Sequence, residues 1–471
     1  MTRHRAKREA PLVLSVLLLS FTLFPTLLFA VGSGGFENAS FSASSLSQGN
    51  AVVAQADEPA AISYNPAGIV DLPGIQVQSN AAFISLFTRL KDTNNATTRS
   101  SGTISMIPTG YVTINPGKLL NDRLAIGIGS DSPFGMGNKY DSNHPAVHYT
   151  GYKTWLKMFT IKPVIALKLF DWLNIGGGPM YYRIFDFGSI LAYPNRLPQL
   201  TGAIPGPPIL ALFPDGQVRA NLSGNSWGWH LGVLLKPHKK HRLGFYFRSP
   251  VHVKLKGQVK VENAFNPFNA AFQKQFGTGA HAKMNLPMNM TVAYAFRPTD
   301  RTTVEVDFGF TRWSTFRRLY IDSDPVNAID DAILQAIGMS DTDYRDAFTL
   351  QIGGNHKVND KLTVRGGWMW FWTPVPKHHF KPSVPDSNSM SVSVGASYKF
   401  WKNFTADLAY FHRFWWRRRI DNDISEALGT TVDGKYFSYA QELMASITYH
   451  FDPFSKSEPK GDISVDGSPG R

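Results

Sequence analysis

Apolar and polar residues alternate with a period of two from about Ile75 to the end of the chain. In Met390–Phe400 the residues Met390, Val392, Val394, Ala396, Tyr398 and Phe400 are separated by Ser391, Ser393, Gly395, Ser397 and Lys399. Val304–Phe310 sets Val304, Val306, Phe308 and Phe310 against Glu305, Asp307 and Gly309, and Phe348, Leu350 and Ile352 alternate with Thr349, Gln351 and Gly353. Side chains on a strand point to opposite faces in turn, so each segment predicts a strand with one apolar and one polar face. About fourteen such strands are predicted, over 75–90, 103–115, 121–135, 154–169, 172–187, 225–236, 242–259, 284–297, 302–321, 346–357, 361–374, 388–400, 403–419 and 437–451. Their connections alternate between short turns, such as Phe170–Asp171 and Trp401–Lys402, and long segments, such as Gly188–Gly224 and Asp421–Tyr436. A soluble sandwich gives the same alternation but has no reason to segregate its loops by length. An even-numbered transmembrane β-barrel does so, and the expected fold class is all-β.

Composition agrees with this architecture. Mean hydropathy is −0.17, and one long apolar run, from Pro11 to about Val31, occurs in 471 residues, which excludes a helical membrane bundle. A barrel keeps average hydropathy near zero, and its interfacial girdles account for 33 Phe, 17 Tyr and 11 Trp. There is no Cys, hence no disulfide or thiolate metal site. The net charge of +13 lacks any nucleic-acid-binding module and fits a surface facing anionic lipid or lipopolysaccharide. Arg3, Arg5, Lys7 and Arg8 precede the apolar stretch Leu12–Phe29 and the small residues Ala30–Ser33, which predicts a cleaved export signal over residues 1–33.

Residues 34–74 do not alternate. This stretch is rich in Ala, Ser, Gly and Asn, too short for a domain, and suited to plug a barrel formed by residues 75–451. The loop Gly202–Pro214 is apolar and Pro-rich, and Asn327–Ile337 has helical spacing; both are expected either to cap the barrel mouth or to pack on each other. The last strand ends in Tyr449 and Phe451, an assembly signal for the barrel-assembly machinery, and residues 452–471 form a polar tail expected to be disordered. Trp415, Trp416, Arg417, Arg418 and Arg419 end the thirteenth strand, where they would meet lipopolysaccharide phosphates or, alternatively, an anionic substrate. The third strand carries Asp131-Ser132-Pro133-Phe134-Gly135; Pro cannot donate to a neighbouring strand, so this is either a deliberate gap or the strand's end. Gly224-Asn225-Ser226-Trp227-Gly228 spells G-x-S-x-G but runs into the predicted strand 225–236 instead of a strand-to-helix turn, and His144/His148, His238/His241 and His378/His379 lack the carboxylates of a metal site, so no catalytic residues, metal or cofactor are expected.

Three stretches in the plug, Gly34-Gly35-Phe36, Ala43–Ala51 and Ala60–Gly68, together resemble the hatch of the FadL/TodX family of outer-membrane long-chain fatty-acid and hydrocarbon transporters. Asn65-Pro66-Ala67 matches the family's hatch motif, and Trp227-Gly228-Trp229, Trp313–Phe316 and Thr373–Pro376 extend the similarity along the chain. The resemblance implies a monomeric fourteen-stranded barrel with a luminal hatch. It implies passive uptake: capture of a long-chain fatty acid or other hydrophobic small molecule in extracellular loops, binding inside the barrel, hatch rearrangement, and lateral exit at a kinked third strand. Phe36, Arg183 and Arg345 are the implied ligand-binding residues, the two arginines for a carboxylate. The rival readings are a hydrophilic porin, which needs no plug, and an outer-membrane lipid-modifying enzyme, which needs a nucleophile with a His and an orienting group at the right places.

Overall fold

The computed structural model describes residues 35–102, 104–194, 215–264, 274–326, 331, 334–335, 338–424, 426 and 430–454. The expected export signal, the loop Gly202–Pro214 and the tail beyond residue 454 lie outside these. Of Asn327–Ile337 only Asp331, Leu334 and Gln335 are described, Leu334 being buried.

Fourteen antiparallel strands close into one barrel. They are β1 (Gly74–Asp92), β2 (Ile104–Asn115), β3 (Leu124–Asp131, resuming as Met136–Lys139), β4 (Lys153–Phe170), β5 (Leu173–Tyr193), β6 (Gly216–His238) and β7 (His241–Arg248, resuming as Val251–Ala264). β8 (Lys274–Leu286, resuming as Asn289–Thr299), β9 (Thr302–Thr311), β10 (Ala347–Lys357), β11 (Leu362–Phe371), β12 (Ser389–Trp401), β13 (Phe404–Trp415) and β14 (Gly434–Phe451) complete the wall. β14 pairs with β1 from Phe451↔Ile75 to Gly434↔Asp92, which leaves no open edge there.

The apolar face points outward. On β9 Val304, Val306 and Phe308 are 43%, 40% and 43% exposed, whereas Glu305 and Asp307 are fully buried against the lumen's contents. Ser391 and Ser393 on β12 are likewise buried while Val392 and Val394 are exposed. This is a wall built to face hydrocarbon.

Several strands are longer than the spans predicted for them. β6 begins at Gly216 instead of 225, and β8 at Lys274 instead of 284, so the long connections are correspondingly shorter. Val218, Ala220 and Leu222 are buried between Gln217, Arg219, Asn221 and Ser223, so the alternation runs on into this stretch, which pairs with β7 from Gln217↔Glu262 to Asn225↔Lys254. The predicted strand 302–321 breaks after Thr311, because Trp313–Thr315 forms a 3-10 turn that buries Trp313, and Arg318–Ser323 resumes pairing with β8.

The lumen holds residues 35–72: a short helix α1 (Ala43–Ser47), a second α2 (Ala61–Tyr64) and a 3-10 turn (Pro66–Asp71). Ser42 and Ser45 form a reciprocal capping box at the start of α1. The small side chains let the backbone reach the wall. Gly353 and Gly367 face each other across β10 and β11, and a Cβ on either would fall 2.0–2.1 Å from backbone atoms of Gln48 or Gly49. Two wall carboxylates satisfy the unpaired hatch amides. Asp307 Oδ2 accepts from Val52 and Val53 N–H at 3.2 Å each, and Glu305 accepts from Ala54 at 2.6 Å and Gln55 at 2.9 Å.

Candidate ligand cavity and side opening

β3 breaks at Ser132–Gly135. Its first part pairs with β2 only along Gly110–Ile114, and Ile104–Thr109 pairs with β1 alone. Facing β3, the edge of Ile104–Thr109 has no strand partner among the described residues. The hydrogen bond from Ser101 N–H to Lys139 O, at 2.8 Å, closes the gap on its far side. The hatch bonds instead to the break itself. Asn38 N–H donates to Pro133 O at 2.8 Å, Gly135 N–H to Phe36 O at 2.9 Å, and Asn38 Nδ2 to Ser132 O at 2.9 Å. Pro133 costs no bond here, since it has no N–H to satisfy.

The same region holds the hatch by charge. Asp131, the last residue before the break, is buried against Lys162 of β4 in an ion pair, and accepts from Ser63 Oγ of α2 at 2.5 Å and Thr160 Oγ1 at 2.6 Å. Glu37 accepts from Arg248 of β7 at 2.5 Å and from Thr311 Oγ1 at 3.2 Å. Buried charges are stable only when paired in this way.

Beyond the hatch lies a cavity of about 400 Å³, within the range of small-molecule sites. Leu156, Phe187, Tyr193, Met284, Phe316 and Tyr344 make it mainly apolar. Lys381, between β11 and β12, brings a cation to its wall and donates to Ser340 Oγ at 3.0 Å. Burial pulls the Lys381 ammonium below its usual range, and Asp341 opposes that shift. His379, also on the wall, lies 3.0 Å from Asp343. A second, smaller recess of about 30 Å³ adjoins the β3 break and is lined by Leu86, Gly135, Gly137 and Asn138.

Phe36 lines both spaces, as do Met136, Ser383 and Val384. It is buried among Trp313, Phe316 and Phe134, with ring centroids at 4.7, 5.3 and 5.9 Å. The structure thus brings Phe36 together with Asp131, Ser132, Pro133, Phe134 and Gly135. Both arginines expected beside the ligand stand elsewhere. Arg183 lies between inward-facing Tyr182 and Ile184, so the strand's alternation turns it to the outer face. Arg345 is exposed, and its buried neighbour Tyr344 lines the cavity instead. Asn65 is a clamp: its Nδ2 donates to Val53 O at 2.7 Å and Val233 O at 3.1 Å while its Oδ1 accepts from Ala67 N–H at 3.2 Å. Pro66 begins the 3-10 turn, and Ala67 is fully buried.

Sequence reasoning passed over Lys381, Lys162, Arg248 and Glu37. Lys162 shares its predicted strand with Lys157 and Lys168, so nothing set it apart. Among the described residues no cluster of His, Asp and Glu could hold a metal ion.

Relatives agree with the geometry. A long-chain fatty acid transport protein of Escherichia coli O6:H1 is 24% identical over 400 residues, covering 81% of this chain and 87% of that protein. Outer membrane protein P1 of Haemophilus influenzae is 23% identical, over 62% of this chain and 63% of its own length. A Pseudomonas aeruginosa FadL homologue of known structure superposes with a TM-score of 0.76 at 21% identity, covering 89% of this chain and all of its own. The P. putida toluene transporter TodX superposes at 0.62 and 16%, with 89% and 99% covered. With residues 29–451 matching its description, "Outer membrane protein transport protein (OMPP1/FadL/TodX)", the chain belongs to that family of outer-membrane transport proteins.

Proposed function

We propose that this protein carries long-chain fatty acids or other hydrophobic compounds passively across the outer membrane, releasing them sideways through the break in β3. The observation that carries the reading is the position of Phe36, which lines both the 400 Å³ apolar cavity and the recess at the break. Substrate caught among the extracellular loops enters the cavity with its chain against Phe187, Phe316 and Met284. Among the described residues Lys381 is the one lysine or arginine on the cavity wall, and it would hold a carboxylate by a charge-assisted hydrogen bond. Movement of Gly35–Asn38 withdraws Phe36 and, with it, the backbone bonds to Pro133 and Gly135. The gap beside Ile104–Thr109 then leads to the hydrocarbon. No energy source is required, because the cargo moves from water to lipid. Residues 1–33 are removed on export, residues 34–74 act as the hatch, and the barrel is inserted by the assembly machinery as a monomer.

The relatives divide by name between fatty acids and toluene, and Lys381 favours the carboxylate. Uptake of labelled oleate and of labelled toluene tests both points in a host lacking its own transporter. Replacing Ser132-Pro133-Phe134-Gly135 by Thr-Val-Thr-Val should abolish both uptakes while heat-modifiable migration stays normal. Lys381→Met should lower oleate uptake about tenfold, a loss of roughly 1.4 kcal/mol, and spare toluene. Undiminished uptake in the first variant defeats the side exit; equal effects on both cargoes in the second defeat the carboxylate reading.

A further inference from the structure

The outward face of β14, β1 and the short strands Thr97–Arg99 and Arg418–Ile420 carries cations opposite one another. Arg419 faces Lys435, and Lys435 faces Lys91 on its other side. Two residues nearer the barrel's waist, Arg89 faces Arg99. Arg417 lays its guanidinium over the ring of Phe437, the residue paired with Arg89, at 5.9 Å. All six cations are exposed, and among the described residues none has an ion-pair partner.

Like charges placed directly opposite on a sheet repel, with side chains only about 5 Å apart at the Cβ. Such a row is stable when an anion lies across it. The depth of the row says what kind of anion. One step further toward the waist, the Phe87 and Tyr439 rings stack at 4.9 Å, part of the aromatic girdle that marks a membrane interface. The cationic rows therefore sit about 7 and 14 Å beyond the girdle, at headgroup level. They lie at the long-loop end of the barrel, hence in the outer leaflet. Elsewhere on the outward face Lys254 lies opposite Lys283 and Lys260 opposite Arg219, and on that side His281 lies against Asp322 and Asp324.

We propose that Arg89, Lys91, Arg99, Arg417, Arg419 and Lys435 form a binding site for the phosphates of a phosphorylated glycolipid in the outer leaflet. The arginines take phosphate oxygens in pairs, the lysines act as point charges, and the acyl chains descend over Phe87, Phe437 and Tyr439.

The full-length protein in detergent is tested by native mass spectrometry with the bis-phosphorylated lipid core of lipopolysaccharide as probe. Wild type should retain one copy, and the dephosphorylated probe should be retained at least tenfold less. The variant Lys91→Gln/Arg99→Gln/Arg419→Gln/Lys435→Gln should lose retention tenfold or more, with normal heat-modifiable migration. Lys91→Arg/Lys435→Arg should keep it. A charge-matched variant in the short turns, Lys239→Gln/Lys240→Gln/Lys361→Gln/Lys402→Gln, should bind as wild type does. Equal retention by the rim variant, equal loss in the turn variant, or indifference to the phosphates overturns the site.

Discussion

Glu58 shows at the scale of one residue how the hatch is held on a narrow margin. Its carboxylate accepts from Ser42 Oγ at 2.5 Å, Gln78 Nε2 at 2.8 Å and Tyr64 OH at 3.1 Å. Burial nevertheless wins over these bonds and pushes its pKa up from 4.5 to about 7. An acid whose pKa is raised in the seated state weakens that state once it ionises. Seating is therefore strongest below pH 4.5, declines between 4.5 and about 7, and is level above. Amide exchange across residues 43–64, corrected for intrinsic rate, should show Glu58→Gln equal to wild type at pH 4.5. At pH 8 the variant should be better protected, on the order of tenfold, since the half-buried carboxyl keeps some hydration. Asp131 illustrates a different outcome for a residue expected to mark the kink: it also latches α2 to β4 through Ser63 and Lys162.

Among the elements, α1 depends on the dent made by Gly353 and Gly367. Four- and five-residue helices have no stability of their own in water, so their packing against the wall must supply it. Gly367→Val would put a Cβ at 2.1 Å from Gln48 C and Gly49 N, backbone atoms that cannot rotate away. The expected cost to hatch seating is about 1–3 kcal/mol, seen as faster exchange in residues 43–52, while the barrel's thermal transition stays in place. β3 makes the complementary point. Its break leaves two backbone carbonyls and one amide to be satisfied, and the hatch segment Phe36–Asn38 does so, which ties opening of the wall to movement of the plug.

For the whole molecule, the lumen is filled by residues 35–72, with Asp307 and Glu305 binding four consecutive hatch amides. In planar bilayers the intact protein should show almost no steady ion conductance, unlike an open porin. Deleting residues 36–72 should give open channels about as conductive as those of an unplugged barrel of similar strand number. Steady porin-like conductance in the intact protein would mean that the hatch is not a stopper.

The alternation of residues and the segregation of loop lengths determined the barrel, its strand number and the outward direction of its apolar face, because these are periodic properties that each short segment carries alone. The hatch was legible as a stretch that breaks the period and repeats the family's motif. Strand ends at Gly216 and Lys274 were overlooked, although Val218, Ala220 and Leu222 on β6 and Ala280 and Ala282 on β8 continue the inward face, because small and glycine-rich residues make a faint alternation. The cation of the cavity was not legible. Arg345 and Lys381 stand equally near apolar residues in sequence, and only the folding of the long connections turns Lys381 inward and Arg345 out. The cationic rows at the rim likewise come from residues more than three hundred positions apart, brought side by side by the register that closes the barrel.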